Sequence, residues 1–376
     1  MKKIRIGIFG RKTSPADGGA DTFLGTLNGK VASFLSADLV EMVQVPWSAW
    51  AGRRRSLWYL RYRIGRYFGG TVPEVDLRPV CRRLRLDIAY FATPAFAHID
   101  IPFVFTLWDI GHRTIPEFPE VRRDHDEWTL REALCQRMLA QASFVVVGNN
   151  AGAEEACEMF GLSRERVIPI PFPNPDFSRI DEDIPKWLPE RPFFFYPAQF
   201  WPHKNHATLL HALAWLSANN KPVPDLVFVG SDKGNLEYLK SMADSLQVAD
   251  RVHFAGFVPR GELKTLYRKA VALTFPSLLG PNNLPPQEAA VLDCPIILSD
   301  LPGHREQLAD GAIYVPPLDA ASWGNAMAKL MSEPEHRLAL AARAKMAVKG
   351  YTAEAYASRL GRLFSSLAAR RLLWGN

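Results

Sequence analysis

Short apolar runs alternate with segments of helical spacing along the first half of the chain. The apolar runs lie between turn residues at 3–9, 39–45, 87–91, 102–107 and 144–147. Runs that are apolar at successive positions are typical of strands buried on both faces. Segments of helical spacing separate them at 22–35, 130–141 and 153–160. This alternation predicts a parallel β-sheet covered by helices.

The same alternation begins again after a segment rich in proline and acidic residues, 168–188. The strands predicted there are 193–196, 225–229, 252–254, 271–275, 296–298 and 313–315. The helices predicted there are 208–217, 236–246, 262–269, 286–292 and most of the chain from about residue 320. The sequence therefore predicts an α/β protein of two facing Rossmann-like domains, 1–172 and 191–350, joined by a linker at 173–190. A last helix within 351–376 is expected to pack back on the N-terminal domain.

Length and composition agree with two soluble domains. The chain has 376 residues, of which 48% are apolar and 22% charged, and domains average roughly 150 residues. The N-terminal apolar run is too short for a signal peptide, and the sequence contains no apolar run of about 18 residues that would predict a membrane span. Four widely spaced cysteines lack metal-ligand spacing, so we expect reduced thiols in a cytoplasmic protein.

The positive charge of the chain is concentrated in one segment. Between Arg53 and Arg85 there are ten arginines and two acidic residues. Residues 50–68 interleave aromatic and aliphatic residues with the arginines Arg53, Arg54, Arg55, Arg61, Arg63 and Arg66. Such a basic amphipathic segment suits an anionic membrane surface, a nucleic acid or an acidic acceptor. A solvated helix whose arginines cover apolar surface is the alternative.

Two loops of the second domain have the features of an anion site. In residues 280–288 (GPNNLPPQE), a strand is followed by a helix start, with Asn283 as the predicted N-cap and Glu288 in the first turn. Free N–H groups at a helix N-terminus suit a diphosphate, and a carboxylate there can accept hydrogen bonds from ribose hydroxyls. In residues 196–206 (YPAQFWPHKNH), Lys204 is predicted near another helix start, flanked by His203 and His206. Each loop taken alone is equally compatible with an ordinary solvated loop.

Together these segments resemble the retaining nucleotide-sugar glycosyltransferases of group 1 (family 4). The resemblance covers nearly the whole chain. It includes the loop with Gly18 and Gly19 after the first strand, the segments 257–267 and 302–308 (PGHREQL), and the run LPPQEAAVLDCPIILSD at 284–300. It implies a GT-B fold with an inter-domain cleft. It also implies a donor site formed by Gly18, Gly19, Gln199, His203, Lys204, Asn283, Leu284 and Glu288.

The chain departs from the pattern of that family at two donor-site positions. The family has a pair of glutamates separated by seven residues, and the position of the first is Gly280 here. The family usually has an arginine five residues before the lysine, and that position is Gln199. The loop backbone at 281–284 is expected to replace contacts of the missing carboxylate, and a protonated His203 to replace the missing cation.

The first domain departs from the pattern as well. The family commonly has His-Asp after the strand predicted at 102–107, whereas this chain has Trp108-Asp109. Similar O-antigen enzymes have a D-x-x-H-R pattern, which Asp109, His112 and Arg113 match. The resemblance implies that Asp109 and His112 face the cleft and take part in catalysis with Lys204. A structural loop histidine is the alternative for His112.

The resemblance implies transfer of a hexose with retention of configuration, by attack on the face from which the diphosphate leaves. It makes GDP-mannose the first candidate donor, and a lipid-linked or polysaccharide acceptor of bacterial cell-surface glycan assembly the expected partner. No Asp-x-Asp motif is placed to hold a metal, so we expect metal independence and no bound cofactor. Contact of the arginine-rich segment with the inner membrane fits such an acceptor, and no nucleic acid is expected. A non-catalytic subunit that binds nucleotide sugars or glycans is the alternative function.

Overall fold

The computed structural model describes residues 4–10, 19–27, 40–45, 75–122, 125–371 and 373. These residues form two compact units. The first is drawn from 1–117, 121–173 and 352–376, and the second from 118–120 and 174–351. The arginine-rich segment 50–68 and Gly18 lie outside the described residues.

The first unit contains a six-stranded parallel sheet in the order β2-β1-β4-β6-β7-β8 and a small pair of parallel strands, β3 and β5. Its strands are β1 (Ile4–Phe9), β2 (Val40–Val45), β3 (Val75–Asp76), β4 (Ile88–Phe91), β5 (Ala97–His98), β6 (Phe103–Thr106), β7 (Phe144–Val147) and β8 (Val167–Pro169). The described helices before residue 174 are α1 (Gly19–Thr26), α2 (Arg78–Arg83), α3 (Gly111–Thr114), α4 (Pro119–Arg122), α5 (His125–Gln141) and α6 (Asn150–Phe160). Strands β4, β6 and β7 are buried at every position, as continuous apolar runs predict.

The second unit contains a six-stranded parallel sheet in the order β11-β10-β9-β12-β13-β14. Its strands are β9 (Phe193–Pro197), β10 (Asp225–Val229), β11 (Val252–Phe254), β12 (Ala272–Phe275), β13 (Ile296–Ser299) and β14 (Ile313–Val315). Its helices are α7 (His206–Ala218), α8 (Leu236–Ser245), α9 (Arg260–Lys269), α10 (Leu284–Val291), α11 (Pro302–Leu308), α12 (Ala320–Ser332) and α13 (Pro334–Val348). The α/β class with two Rossmann-like halves is thereby confirmed.

The proline-rich segment predicted as a linker is packed against the second unit from Asn174 onward. Phe177 is 5% exposed and belongs to the core of that unit. The ammonium of Lys264, on α9, donates to the carbonyls of Phe177 and Ile180 at 3.3 and 2.7 Å. The segment has no regular structure of its own, so the Lys264 ammonium satisfies two carbonyls that would be paired within a sheet or helix elsewhere.

The last helix, α14 (Ala353–Arg371), belongs to the first unit. Its buried residues Tyr356, Leu360, Phe364 and Leu367 follow helical spacing, so they form one apolar stripe. The hydroxyl of Tyr356 lies 2.9 Å from that of Tyr90 on β4, and the ring of Phe364 packs edge-on against Tyr90. In the described part of the chain, no helix has the length and apolar content that a membrane span requires.

Candidate functional site

The order of strands in the second sheet locates a crevice. The chain proceeds from β9 through β10 to β11 on one side, and returns to build β12, β13 and β14 on the other. In open α/β sheets, ligands bind at the carboxyl ends of the strands where the order reverses. That point lies between β9 and β12 here. The loops that follow these strands, 198–205 and 276–283, are the two that the sequence singles out.

Asn205 joins these two loops. It has left-handed backbone geometry, with φ +57°, between a short 3-10 turn at Pro202–Lys204 and the start of α7. Its side-chain nitrogen donates to the carbonyls of Pro276 at 3.1 Å and Pro317 at 2.8 Å. This role is not predictable from the sequence, since a single asparagine before a helix is typical of an ordinary N-cap.

Lys204 and Asn283 come together at the crevice, as the sequence predicted of their loops. The ammonium nitrogen of Lys204 is 3.4 Å from the hydroxyl of Ser277 and 3.5 Å from Oδ1 of Asn283. It also lies 5.5 Å from the centre of the Phe275 ring. The backbone of Lys204 is fixed by the hydroxyl of Tyr196, which donates to its carbonyl at 2.8 Å.

Asn283 takes the N-cap position of α10, but its side chain makes no capping hydrogen bond. The predicted N-cap position of Asn283 is therefore confirmed, whereas the hydrogen bond that such a residue commonly makes is not formed. The side-chain nitrogen lies 3.0 Å from Nε2 of His304 and 3.3 Å from the carbonyl of Gly280. The side chain of Asn283 therefore bonds to these tertiary partners instead of to the N–H groups of the first turn. Leu284, the first residue of α10, is 8% exposed.

Glu288 is the fifth residue of α10 and so lies in the second turn, not in the first as predicted. The helix starts two residues earlier than expected because Pro285 and Pro286 both fit within its first turn. The carboxylate is 8% exposed and accepts a hydrogen bond from the Tyr267 hydroxyl at 2.7 Å. Burial raises the pKa of Glu288, and the contacts with Tyr267 and Arg260 offset that effect only in part.

The other residues of the loop after β9 are held by local partners. Oε1 of Gln199 accepts a hydrogen bond from the indole of Trp201 at 3.0 Å. The backbone N–H of His203 donates to Glu120 at 3.1 Å, and its ring pairs with the same carboxylate. Burial raises the pKa of Glu120, but the hydrogen bonds with His203 outweigh it and the pKa is lowered overall. No sequence pattern indicated Glu120, which lies 83 positions before His203.

His206 has a structural place. Its ring is 1% exposed and packs against Tyr196, Phe200 and Phe228 with centroid distances of 4.5, 4.9 and 5.1 Å. Burial, together with the charge of Lys204, lowers the pKa of His206 to about 3. The ring is therefore neutral at physiological pH and belongs to the core beneath the loop.

The two candidate catalytic residues of the first unit differ in exposure, and His112 is the buried one. His112 is fully buried, with Nε2 3.1 Å from Glu132 and the ring against Trp128 and Phe160. This burial favours the alternative of a structural loop histidine over a catalytic role for His112. Burial lowers the pKa of His112, so the ring is neutral.

Asp109, in contrast, has a side chain that is 32% exposed. It accepts from the N–H of Gly111 at 2.9 Å and pairs with Arg131. Gly19 is the first residue of α1. Among the residues that the structure describes, no group of three His, Cys, Asp or Glu side chains is arranged to hold a metal ion. The described chemistry of the site is thus an ammonium, a buried carboxylate and the N–H groups of a helix start.

Comparison with known proteins identifies the domain that contains these two loops. Residues 179–347 match the family described as Glycosyl transferases group 1. The O-antigen chain mannosyltransferase RfbU of Salmonella typhimurium is 35% identical over 144 residues, which are 38% of this chain and 39% of RfbU. The chain spans less than two thirds of the length of the curated relatives that it matches first.

Solved structures share the fold at low identity. Sucrose-phosphate synthase from Thermosynechococcus elongatus has a TM-score of 0.69 at 17% identity, covering 98% of this chain and 100% of that one. Anabaena Alr3699/HepE, solved in complex with UDP-glucose, has a TM-score of 0.66 at 16% identity, covering 97% and 100%. Residues 179–347 thus match the group-1 glycosyltransferase domain, and the chain as a whole shares the fold of these solved structures.

Proposed function

We propose that this protein transfers a hexose from a nucleotide-diphosphate sugar, with retention of anomeric configuration, to a lipid-linked or polysaccharide acceptor of bacterial surface glycan assembly. The name of RfbU, an O-antigen chain mannosyltransferase, supports mannose as the sugar and GDP-mannose as the first donor to test. The HepE complex with UDP-glucose supports including uridine donors.

One observation carries the proposal. The ammonium of Lys204 lies at the reversal point of the second sheet, 3.5 Å from the residue that immediately precedes α10. A cation and the N–H groups of a helix start together complement a diphosphate. Charge stabilisation that is already in place when the leaving group departs lowers the barrier without further reorganisation.

In the proposed reaction, the acceptor hydroxyl attacks the anomeric carbon on the face from which the diphosphate leaves. The bond between the anomeric carbon and the diphosphate oxygen breaks, its electron pair stays on that oxygen, and the acceptor's proton is transferred to it. This route uses no protein nucleophile. It requires the negative charge on the diphosphate to be stabilised, which is the role of Lys204, and water to be excluded as a competing acceptor.

Glu288 is the proposed partner of the ribose hydroxyls of the donor. Its carboxylate already accepts one hydrogen bond, from Tyr267, and an ionised carboxylate has acceptor capacity for more. Because burial raises the pKa of Glu288, two hydroxyl donors from a ribose would favour the ionised form.

The experiment is a screen of nucleotide sugars against the purified full chain, with GDP-mannose and UDP-glucose first, followed by NMR of the anomeric configuration of the product. Replacement of Lys204 by Ala is expected to lower kcat by about 10²-fold or more, as the loss of a charge-stabilising group does. Lys240→Ala is the matched control, because that lysine pairs with Glu237 on a surface helix. Inversion of configuration, or equal turnover of both variants, contradicts the proposal.

His203 is proposed as the second cation of the diphosphate site. It stands one residue before Lys204 and pairs with Glu120, a carboxylate that favours a charged imidazole. Turnover of His203→Ala is expected to fall in the same direction as that of Lys204→Ala, and unchanged turnover rejects this role. Metal independence is likewise proposed. Activity that is lost on chelation and restored by a divalent cation contradicts it.

Contact with an anionic membrane through the arginine-rich segment 50–68 is proposed from its sequence and from the nature of the acceptor. Sedimentation with vesicles that contain anionic lipid compares the full chain with a variant in which the six arginines of that segment are replaced by glutamine. Weaker sedimentation of the variant is expected, and equal sedimentation of both proteins ends this proposal.

The alternative is a non-catalytic subunit that binds nucleotide sugars or glycans. Gly280 and Gln199 favour it, since they stand where the family pattern has a carboxylate and an arginine. Calorimetric binding of nucleotides without hydrolysis or transfer of any donor in the screen would select this alternative.

A further inference from the structure

The loop that precedes α10 is held by α11 at three points. A Cβ atom on Gly303 would lie 2.2 Å from the carbonyl oxygen of Pro281, so the two backbones approach as closely as glycine allows. The side chain of Gln307 donates to the carbonyl of Asn283 at 2.6 Å. His304, between these two along the same helix, reaches the side chain of Asn283.

The chemistry of the partners fixes the direction of each hydrogen bond. Nδ1 of His304 lies 2.8 Å from the carbonyl of Ser299, which only accepts, so Nδ1 bears the proton. Burial lowers the pKa of His304 to about 4, so the ring is neutral at pH 7 and Nε2 only accepts. The side chain of Asn283 therefore directs its NH2 group to Nε2, at 3.0 Å.

The orientation of Asn283 then determines what Lys204 meets. With the NH2 group turned to His304, Oδ1 points to the ammonium of Lys204 at 3.5 Å. An ammonium only donates, so the opposite orientation of the amide would bring two donors together. The carbonyl of Ser299, His304, Asn283 and Lys204 thus form one directed chain of hydrogen bonds, which we call the Ser299–Lys204 relay.

The same side chain fills the space beside Gly280. Gly280 has φ +128°, and a Cβ atom there would lie 2.3 Å from Nδ2 of Asn283. A larger residue at position 280 would displace the amide from His304. The glycine at that position and the orientation of Asn283 are therefore linked features of this loop.

We propose that His304 and Asn283 are positioning residues, which hold the Lys204 ammonium in the place where it binds the diphosphate of the ligand. In this loop, Asn283 occupies the space that a side chain at position 280 would need. The proposal rests on the proposed function for the identity of the ligand. The relay itself is a property of the protein alone, so it is tested separately.

The first test uses no ligand. Long-range nitrogen–proton NMR of the histidine-labelled full chain at pH 7 reports the tautomer of each of the nine histidines, and the His304→Gln spectrum identifies the signal of His304. A neutral ring protonated at Nδ1 is expected. A ring protonated at Nε2, or a charged ring, overturns the relay whatever the protein binds.

The second test measures whether the relay acts on the diphosphate. Calorimetry with UDP and UMP, and with GDP and GMP, gives the contribution of the second phosphate to affinity for each variant. His304→Leu and Asn283→Leu are expected to lose about tenfold in that contribution, or about 1.4 kcal/mol. His304→Gln is expected to stay within about threefold of the wild type (roughly 0.7 kcal/mol), since its amide can donate to Ser299 and accept from Asn283.

His253→Leu is the matched control, because His253 also makes a side-chain hydrogen bond in the second unit, to Asp225 at 3.0 Å. A purely structural role would weaken diphosphate and monophosphate alike, or would leave His304→Gln as impaired as His304→Leu; either result overturns the positioning role. If no nucleotide binds the wild type, the proposed function is wrong. The tautomer of His304 measured by NMR then still shows whether the relay exists.

Discussion

Replacing Asn205 is expected to uncouple the two loops of the site and to destabilise the second unit. The residue is 7% exposed. Its side chain donates to two carbonyls of other loops and accepts from the hydroxyl of Thr208 at 2.8 Å. Each such hydrogen bond contributes about 1 kcal/mol net, and a left-handed backbone costs alanine a further 1–2 kcal/mol or so relative to glycine.

These terms predict that Asn205→Ala loses about 4–5 kcal/mol of unfolding free energy. Asn205→Gly loses the same hydrogen bonds but adopts φ +57° without strain, so its loss should be smaller by about 1–2 kcal/mol. Asn219→Ala is the control on the same helix. That residue is exposed, and its side chain makes one local hydrogen bond, to the carbonyl of Trp215, so a loss below about 1 kcal/mol is expected.

Urea denaturation of the full chain, followed by circular dichroism and tryptophan fluorescence, gives the midpoints. With a slope of about 2 kcal/mol/M, the alanine variant should unfold at a urea concentration lower by roughly 2–2.5 M. If the glycine variant is as unstable as the alanine variant, backbone strain is not a component of the loss. If both lie within about 0.5 kcal/mol of the control, the hydrogen bonds from Asn205 do not hold the loops together.

Three further substitutions test the electrostatics and the backbone of the described units. In a urea titration, Gly280→Ala should lower the free energy of unfolding by about 1–3 kcal/mol and Gly161→Ala by about 1 kcal/mol. Both glycines have positive φ, but only at position 280 would the added Cβ atom clash with a side chain. Glu288→Gln should raise Tm at pH 8 and abolish donor use in the transfer assay. Burial raises the pKa of the Glu288 carboxyl. The gain in Tm should therefore vanish as the pH falls through that raised pKa, because the wild-type carboxyl is then uncharged like the glutamine amide. Glu132 has a pKa lowered to about 2, chiefly by its hydrogen bond from an arginine. Its contribution of about 2–3 kcal/mol is therefore present above about pH 4.5 and lost as the pH falls towards 2. Glu132→Gln should lose it at pH 7, and the exposed Glu127→Gln on the same helix should not; equal pH profiles of the two variants contradict this assignment.

The strands of the second sheet were predictable because their burial leaves a direct trace in the sequence. The run 225–229 was predicted and observed with the same bounds, and 193–196 is one residue shorter than β9. Both are apolar or aromatic along their length and lie inside a sheet covered on both faces, so no competing pattern obscures them. The carboxyl ends of these strands then placed the candidate loops correctly at one edge of the sheet.

The orientation of side chains within those loops was not predictable in the same way. Whether Asn283 caps α10 or turns away depends on His304, which lies 21 positions later on a different helix. The burial of His112 depends on Glu132, 20 positions away. Local sequence favours the cap and the open loop histidine, and tertiary hydrogen bonds override both preferences. Such partners become visible only once the fold brings the helices together.

The charges around Lys204 indicate why the site suits an anion. Two of the histidines around Lys204 are kept neutral by burial, with pKa values of about 3 for His206 and about 4 for His304. The carboxylate of Glu288 is hydrogen bonded to Tyr267, and that of Glu120 pairs with His203. The contacts of Lys204 include the neutral oxygens of Ser277 and Asn283. Neutral oxygens orient an ammonium without cancelling its charge, which suits a lysine proposed to meet a diphosphate at the helix start. A carboxylate at position 280 would add negative charge to that loop. With glycine at position 280, the Asn283 amide occupies the adjacent space. The group that orients Lys204 is then this neutral amide.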